Sequence, residues 1–379
     1  MKRSFYLISA GTLLIACCYG FARFAYALFT PALSEEFALT PTVVGAIGSG
    51  SYVGYCVAIV ASSVLTERMG ARRVAVAAGI VATLGISLVA VAPSAFVLAA
   101  GVLVAGSSTG IASPPLAAAV ARWVRSDVRD RAQTVVNAGT GVGVVLTAPI
   151  ALFLFGQWRL AWAVMAAIAA VVTLVVARAI PPSAGTADRP VPDHAWRAGT
   201  AGLVAASLLT GLGSVAVWNF GRTLTDGLGD TTSVVAWTVL GAAGIAGAFG
   251  GDAVQRLGLA SAWRVGIASM TAATLVYAVC PDVAVAVVAA AGVFGAAYIA
   301  LTGLLLLWAI RVYPDGASFG VGLSFFVIAA GQALGAPAVG ALVEMTSART
   351  AFLIVAAVGV TALAVRPASV PSPVVDPSV

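Results

Sequence analysis

Residues 63–73 read Ser63-Val64-Leu65-Thr66-Glu67-Arg68-Met69-Gly70-Ala71-Arg72-Arg73. Four charged side chains fall within 67–73, and on either side lie apolar runs, 43–64 and 74–92, that hold no charge. A helix rises about 1.5 Å per residue, so each run approaches the roughly 20 residues that cross a bilayer core. The charged stretch is therefore the connection between two membrane helices, lying at a membrane surface.

Working outward, the same alternation fills the chain. Apolar segments fall near 5–30, 43–64, 74–92, 95–120, 132–155 and 159–179, and again near 199–222, 232–252, 264–280, 283–310, 318–342 and 350–366. Between the two series, 181–192 is polar and too rich in proline for a helix. The reading is an all-α polytopic membrane protein of about twelve spans, with lobes 1–179 and 199–379 (the latter ending in a short cytoplasmic tail) joined by a cytoplasmic linker, 180–198.

The 379-residue composition agrees, with 61% hydrophobic and only 9% charged residues and a mean hydropathy of +1.04. Soluble domains carry about 25% charged residues, so lipid must cover much of this surface. Soluble enzymes, nucleic-acid binders and secreted disulfide scaffolds are excluded. Cys17, Cys18, Cys56 and Cys280 lack metal-site spacing. Lys2-Arg3 and the apolar run to Cys17 imitate a lipoprotein leader, but the run continues past the cysteine, so no cleavage is expected.

The net charge of +6 is a topology signal. With the N-terminus inside, Lys2, Arg3, Arg68, Arg72, Arg73, Arg122, Arg125, Arg129 and Arg131 share one side with Arg178, Arg189, Arg197, Arg256, Arg264, Arg311 and Arg366, while Arg159 and Arg349 lie opposite, with Arg222 at a helix end. This asymmetry places both termini in the cytoplasm of a bacterium, the protein spanning its inner membrane. The halves also repeat: Arg68-Met69-Gly70, Asp127 and Ala148-Pro149 reappear as Arg256-Leu257-Gly258, Asp315 and Ala336-Pro337, each 188 positions later. Parallel repeats of this kind place a cavity between two lobes.

Ser63–Arg73 resembles the major facilitator superfamily signature Gly-x-x-x-Asp-Arg-x-Gly-Arg-Arg, with Ser63 and Glu67 replacing its Gly and Asp. A degenerate copy runs Gly251-Asp252-Ala253-Val254-Gln255-Arg256-Leu257-Gly258. The resemblance implies a conformational latch that favours the outward-open state, formed by Glu67, Arg68, Gly70, Arg72 and Arg73 with Gln255, Arg256 and Gly258. Plain positive-inside topology is the alternative reading of these arginines. Tyr19-Gly20-Phe21-Ala22-Arg23-Phe24-Ala25-Tyr26 is similar to the Gly-x-x-Arg-Phe-x-Tyr stretch of the YbfB/YjiJ-like branch, which implies no dependable substrate. The fourth helix lacks the arginine of many proton-coupled members, and the fifth lacks the Gly-Pro pattern of drug antiporters.

Arg23 lies deep in the first span. A charge there costs about 2.5–3.5 kcal/mol on insertion scales, so it faces a cavity or a partner. Tyr19, Arg23, Tyr26 and Thr30 follow helical spacing and form one expected stripe of donors for an organic anion. The competing reading is a structural arginine bonded to carbonyls or stacked on aromatic rings.

On the seventh helix Ser207, Thr210, Ser214 and Trp218 share a face, with Asn219 beside it. Arg222, one turn on, either joins the site or pairs with Asp226 at the membrane boundary. Gln133, Asn137 and Thr140, then Tyr298, Thr302 and Gln332, are further polar candidates, each equally able to join helices. Trp218, Trp237 and Trp308 serve as substrate contacts or as packing.

No Asp or Glu sits mid-membrane and the single histidine, His194, is in the linker, which argues against a cation antiporter built on a buried acid. No phosphate loop, metal cluster or nucleophile set occurs, so no cofactor, metal or enzymatic activity is expected. The expected function is alternating-access transport of a small organic anion, secondary active or facilitative, by a monomer in the lipid bilayer, with a coupling proton or counter-anion and no nucleic-acid partner. Proton-coupled multidrug or metabolite efflux is the alternative within transport. A non-transporting sensor or an intramembrane enzyme is the alternative outside it.

Overall fold

The computed structural model describes residues 2–154, 156–182, 196–247 and 256–367. Among them no strand occurs, and the helices gather into twelve apolar rods. The first, α1, is continuous and has three parts: Lys2–Ile15, a π-helical stretch Ala16–Phe24, and Ala25–Phe37. There follow α2 (Pro41–Met69), α3 (Ala71–Ala90), α4 (Ala95–Trp123), α5 (Arg129–Phe153) and α6 (Trp158–Ala179). The second series is α7 (Thr200–Leu224), α8 (Asp230–Gly247), α9 (Leu259–Val279), α10 (Ala284–Val312), α11 (Ala317–Met345) and α12 (Ala348–Ala362). Among the described residues ten rods are long and apolar enough to cross a membrane, and α8 and α12 pack among them. Most of the expected linker, His194, the end of the eighth segment and Gln255 lie outside the described residues.

Several rods outrun the expected spans. The first does not stop at residue 30 but passes Pro31 and reaches Phe37, because a proline removes one backbone hydrogen bond without forbidding a helix whose sides are otherwise packed. Starts are set by local chemistry. Thr40 Oγ1 accepts from the Val43 N–H at 3.4 Å, ahead of Pro41, and Ser94 Oγ accepts from the Val97 N–H at 3.4 Å. Ser347 Oγ accepts from the Thr350 N–H at 3.1 Å, so α2, α4 and α12 all begin on a hydroxyl cap.

The internal repeat is visible in the backbone. Gly70 (φ 86°, ψ 153°) and Gly258 (φ 76°, ψ 158°) adopt the same left-handed conformation ahead of the third helix of each series, which a side chain would strain. A second repeated device was not foreseen. Arg159 Nη2, at the start of α6, donates to the Ala92 carbonyl at 2.8 Å, just past α3. Arg349, at the start of α12, donates through Nε and Nη2 to the Ala278 and Val279 carbonyls at 2.8 and 2.7 Å, at the end of α9. Each arginine satisfies carbonyls that the helix itself leaves open, with a charge of the favourable sign.

Small residues set the packing, since lipid removes the hydrophobic drive between helices. Gly20 of α1 meets the backbone of Gly143 of α5, and Gly106 of α4 meets Ser51 of α2. Helices α1–α6 pack chiefly among themselves, as do α7–α12, and the two groups join along α2–α11, α5–α8 and α1–α7.

The α2–α11 seam runs from Thr42 Oγ1, which donates to Glu344 Oε2 at 2.6 Å, through Ser49 Oγ, which donates to the Ala333 carbonyl at 2.7 Å, to the Cys56 thiol against the Phe326 carbonyl at 3.7 Å. It covers roughly 21 Å of helix at about 1.5 Å per residue and lies toward the face where α1 ends and α2 begins. Beyond it, toward the opposite face, α2 exposes Val60, Val64 and Leu65.

Candidate functional site

The site begins in the π-helical stretch of α1, where N–H groups bond five residues back, as Ala25 does to the Gly20 carbonyl. Single π turns recur at functional positions because they re-aim side chains without breaking the rod. The expected stripe is divided here. Tyr19 stays beside Arg23, and its hydroxyl shares a 3.0 Å hydrogen bond with Ser113 Oγ of α4. Tyr26 instead donates to the Val44 carbonyl at 3.1 Å, and Thr30 Oγ1 donates back to the Tyr26 carbonyl at 2.9 Å.

Arg23 is buried, 8% exposed. Its guanidinium carbon lies 4.7, 5.0, 5.4 and 5.8 Å from the ring centres of Tyr52, Tyr55, Phe24 and Tyr19. Ring faces attract a cation, most strongly where water is scarce. Nη2 donates to Gln332 Oε1 at 2.7 Å, while Nε has no partner. No carboxylate among the described residues pairs with it.

The sequence reading left Tyr52 and Tyr55 out of this group. Their signal was present, since they stand three apart on α2 beside Gly48 and Gly54, but tyrosines in an apolar helix also read as packing.

Gln332 ties the two lobes. Fully buried on α11, it accepts from Arg23 and gives its amide hydrogens to Ser214 Oγ and the Tyr298 hydroxyl, each at 3.2 Å. Trp218 stacks on Phe24 at 4.0 Å and meets Tyr298 and Trp237 edge-on. Asn219 Oδ1 accepts from the Tyr52 hydroxyl at 2.9 Å. Arg23, Tyr19, Ser214, Trp218, Asn219, Tyr298 and Gln332 therefore converge, although they come from α1, α7, α10 and α11.

Other candidates lie apart. Arg222 is ion-paired to Asp226 at 2.6 Å and to Asp230, at the end of α7. Asn137 is exposed and accepts from Gln133 Nε2 at 3.2 Å, one turn before Gly141, which packs against α8. Thr140 is half-buried on the same helix. Thr302 donates to the Ile299 carbonyl at 2.7 Å, and Ser207 shares a 2.7 Å bond with Ser324. Of the tryptophans, Trp237 donates to Thr147 Oγ1 at 3.0 Å and Trp308 packs on Trp263.

Residues 12–336 match the family model of the Major Facilitator Superfamily. The chain belongs to that superfamily. No curated protein matches it. Among solved structures, a mutant of the nucleoside transporter NupG superposes with a TM-score of 0.79 at 13% identity, over 95% of this chain and 98% of the other. A bacterial homolog of the human lysosomal transporter Spinster, inward-facing and unoccupied, gives 0.76 at 14% identity over 96% of both chains. At such identity the likeness is one of fold.

Glu67, Arg68 and Arg73 are exposed, Arg72 is half-buried, and none forms an ion pair with a described residue. Arg256 is likewise exposed.

Proposed function

We propose that this multi-pass superfamily transporter carries a small organic anion by alternating access, with Arg23 as the anchor for the negative group. The observation that carries the reading is a buried guanidinium that holds one hydrogen bond, a free Nε and no carboxylate. The four aromatic rings offset part of its burial, about 0.5–2 kcal/mol for a good ring contact, and an anion supplies what they cannot. Tyr19 flanks the guanidinium and orients the ligand, and Gln332, Ser214, Tyr298, Trp218 and Asn219 close the C-terminal wall. Tyr26 and Thr30 hold α1 against α2.

The arginine asymmetry puts both termini in the cytoplasm of a bacterial inner membrane. With that orientation the α2–α11 seam lies at the outer face, which supports reading this arrangement as inward-facing. Residues 1–179 and 199–379 rock about the linker, as a monomer, with a proton or counter-anion completing the cycle. The likeness to the YbfB/YjiJ-like branch supplies no substrate, and the nucleosides of NupG belong to that protein.

Uptake of radiolabelled carboxylates into liposomes containing the purified protein is the test. Wild type is expected to accumulate or equilibrate at least one of them, and Arg23→Gln is expected to lose that uptake while still unfolding cooperatively. Full uptake by Arg23→Gln would return the arginine to a packing role.

A further inference from the structure

Among the buried N–H donors that have no acceptor are Arg23 Nε, Trp218 Nε1 and Asn219 Nδ2, on residues linked through Phe24 and Tyr52. Protein interiors rarely leave such groups unmatched, and an unmatched cluster marks a place where something else supplies the acceptor. The cluster is built. Trp218 is fixed by its stack on Phe24, the residue next to Arg23. Asn219, 4% exposed, has its oxygen occupied by the Tyr52 hydroxyl at 2.9 Å, so only its amide hydrogens remain.

Asn219 Nδ2 lies close against Gly48 on α2, where an added Cβ would stand 2.8 Å from it. The guanidinium stands over the ring of the same Tyr52, 4.7 Å from its centre. The cation thus stands at the face of one phenol ring and the amide group at its hydroxyl end. Among the described residues of the C-terminal wall, the nearest cation along α7, Arg222, is engaged by Asp226 and Asp230.

We infer that the ligand is a monoanion bearing an uncharged acceptor, a carbonyl or hydroxyl oxygen or a ring nitrogen, about one ring length from its carboxylate. Arg23 holds the carboxylate from the first lobe, while Asn219 and Trp218 take the acceptor from the second. The class is hydroxy-, oxo- or heteroaromatic monocarboxylates, in preference to plain acids that lack the acceptor and to dicarboxylates, whose second charge meets no cation. This rests on the anchoring role of Arg23.

The test is equilibrium binding of benzoate, nicotinate, 4-hydroxybenzoate and terephthalate to the purified full chain, to Asn219→Leu and to Trp218→Phe. In wild type nicotinate or 4-hydroxybenzoate is expected to bind at least about tenfold tighter than benzoate, a factor one added hydrogen bond can supply, with terephthalate no tighter than benzoate. Asn219→Leu is expected to erase that advantage, leaving nicotinate and 4-hydroxybenzoate no tighter than benzoate. Trp218→Phe keeps the stack, removes only the indole N–H, and is expected to reduce the advantage, which keeps the test decisive if Asn219→Leu does not fold. Equal affinities in wild type, or an advantage that survives both variants, would overturn the acceptor subsite and leave the anchor standing. Failure of all four acids to bind wild type would overturn the anchor and the subsite together.

Discussion

Gln332 decides what Arg23 does while no ligand is present. It gives the guanidinium a neutral oxygen at 2.7 Å, which satisfies one donor without cancelling the charge. Replacing that amide with a carboxylate of nearly the same shape would supply a resident counter-ion at the same distance, and a buried ion pair that is already complete has no use for a second anion. Gln332→Glu is therefore expected to weaken anion binding by at least about tenfold, some 1.4 kcal/mol, and to abolish the ligand-induced rise in melting temperature. An anion response of wild-type size in that variant would show that ligands do not bind at Arg23. The sequence made Arg23 conspicuous, because a charge inside an apolar run stands out in one dimension. It could not show the cage, since Tyr52, Tyr55 and Gln332 reach Arg23 only through the crossings of α1 with α2 and α11, and nothing in a single segment encodes those.

Among the elements, α1 differs most from a regular rod. Its apolar run and its length were legible, but the π-helical stretch was not, because a search for a 3.6-residue period assumes the winding that Ala16–Phe24 departs from. Tyr26 and Thr30, in the α-helical part that follows, bond to Val44 and to α1 itself. A π segment amounts to an α-helix that has absorbed an extra residue, so removing one residue from it lets the backbone return to α winding with its flanks still in register. Deletion of Ala22 is expected to leave a cooperatively unfolding protein whose melting temperature no longer responds to anions, because Arg23 has turned out of the Tyr52–Tyr55 cage. Deletion of Gly11, in the α-helical part before it, would rotate one half of the rod against the other and is expected to prevent folding. If the Ala22 deletion kept its anion response, the winding would have no part in aiming Arg23.

For the whole molecule, the twelve-rod architecture and its repeat were legible because lipid imposes long apolar segments and short charged connections, and because duplicated loops keep their glycines. Which face is closed was not legible, since both arrangements of the lobes use the same sequence and differ only in which seams are made. Here the seam between α2 and α11 is made, and its outermost tie is Thr42 to Glu344. Alternating access requires that tie to part in every cycle, whereas the opposite face stays accessible without it. Joining Thr42→Cys to Glu344→Cys with a short bifunctional methanethiosulfonate, in a background where the half-buried Cys56 and Cys280 are alanine, is therefore expected to stop liposome uptake while leaving anion binding in detergent within about twofold. Cleaving the bridge with a reductant should restore uptake. Transport by the bridged protein would mean that the lobes do not separate along this seam, and loss of binding together with transport would mean that the ligand enters from the face the seam closes.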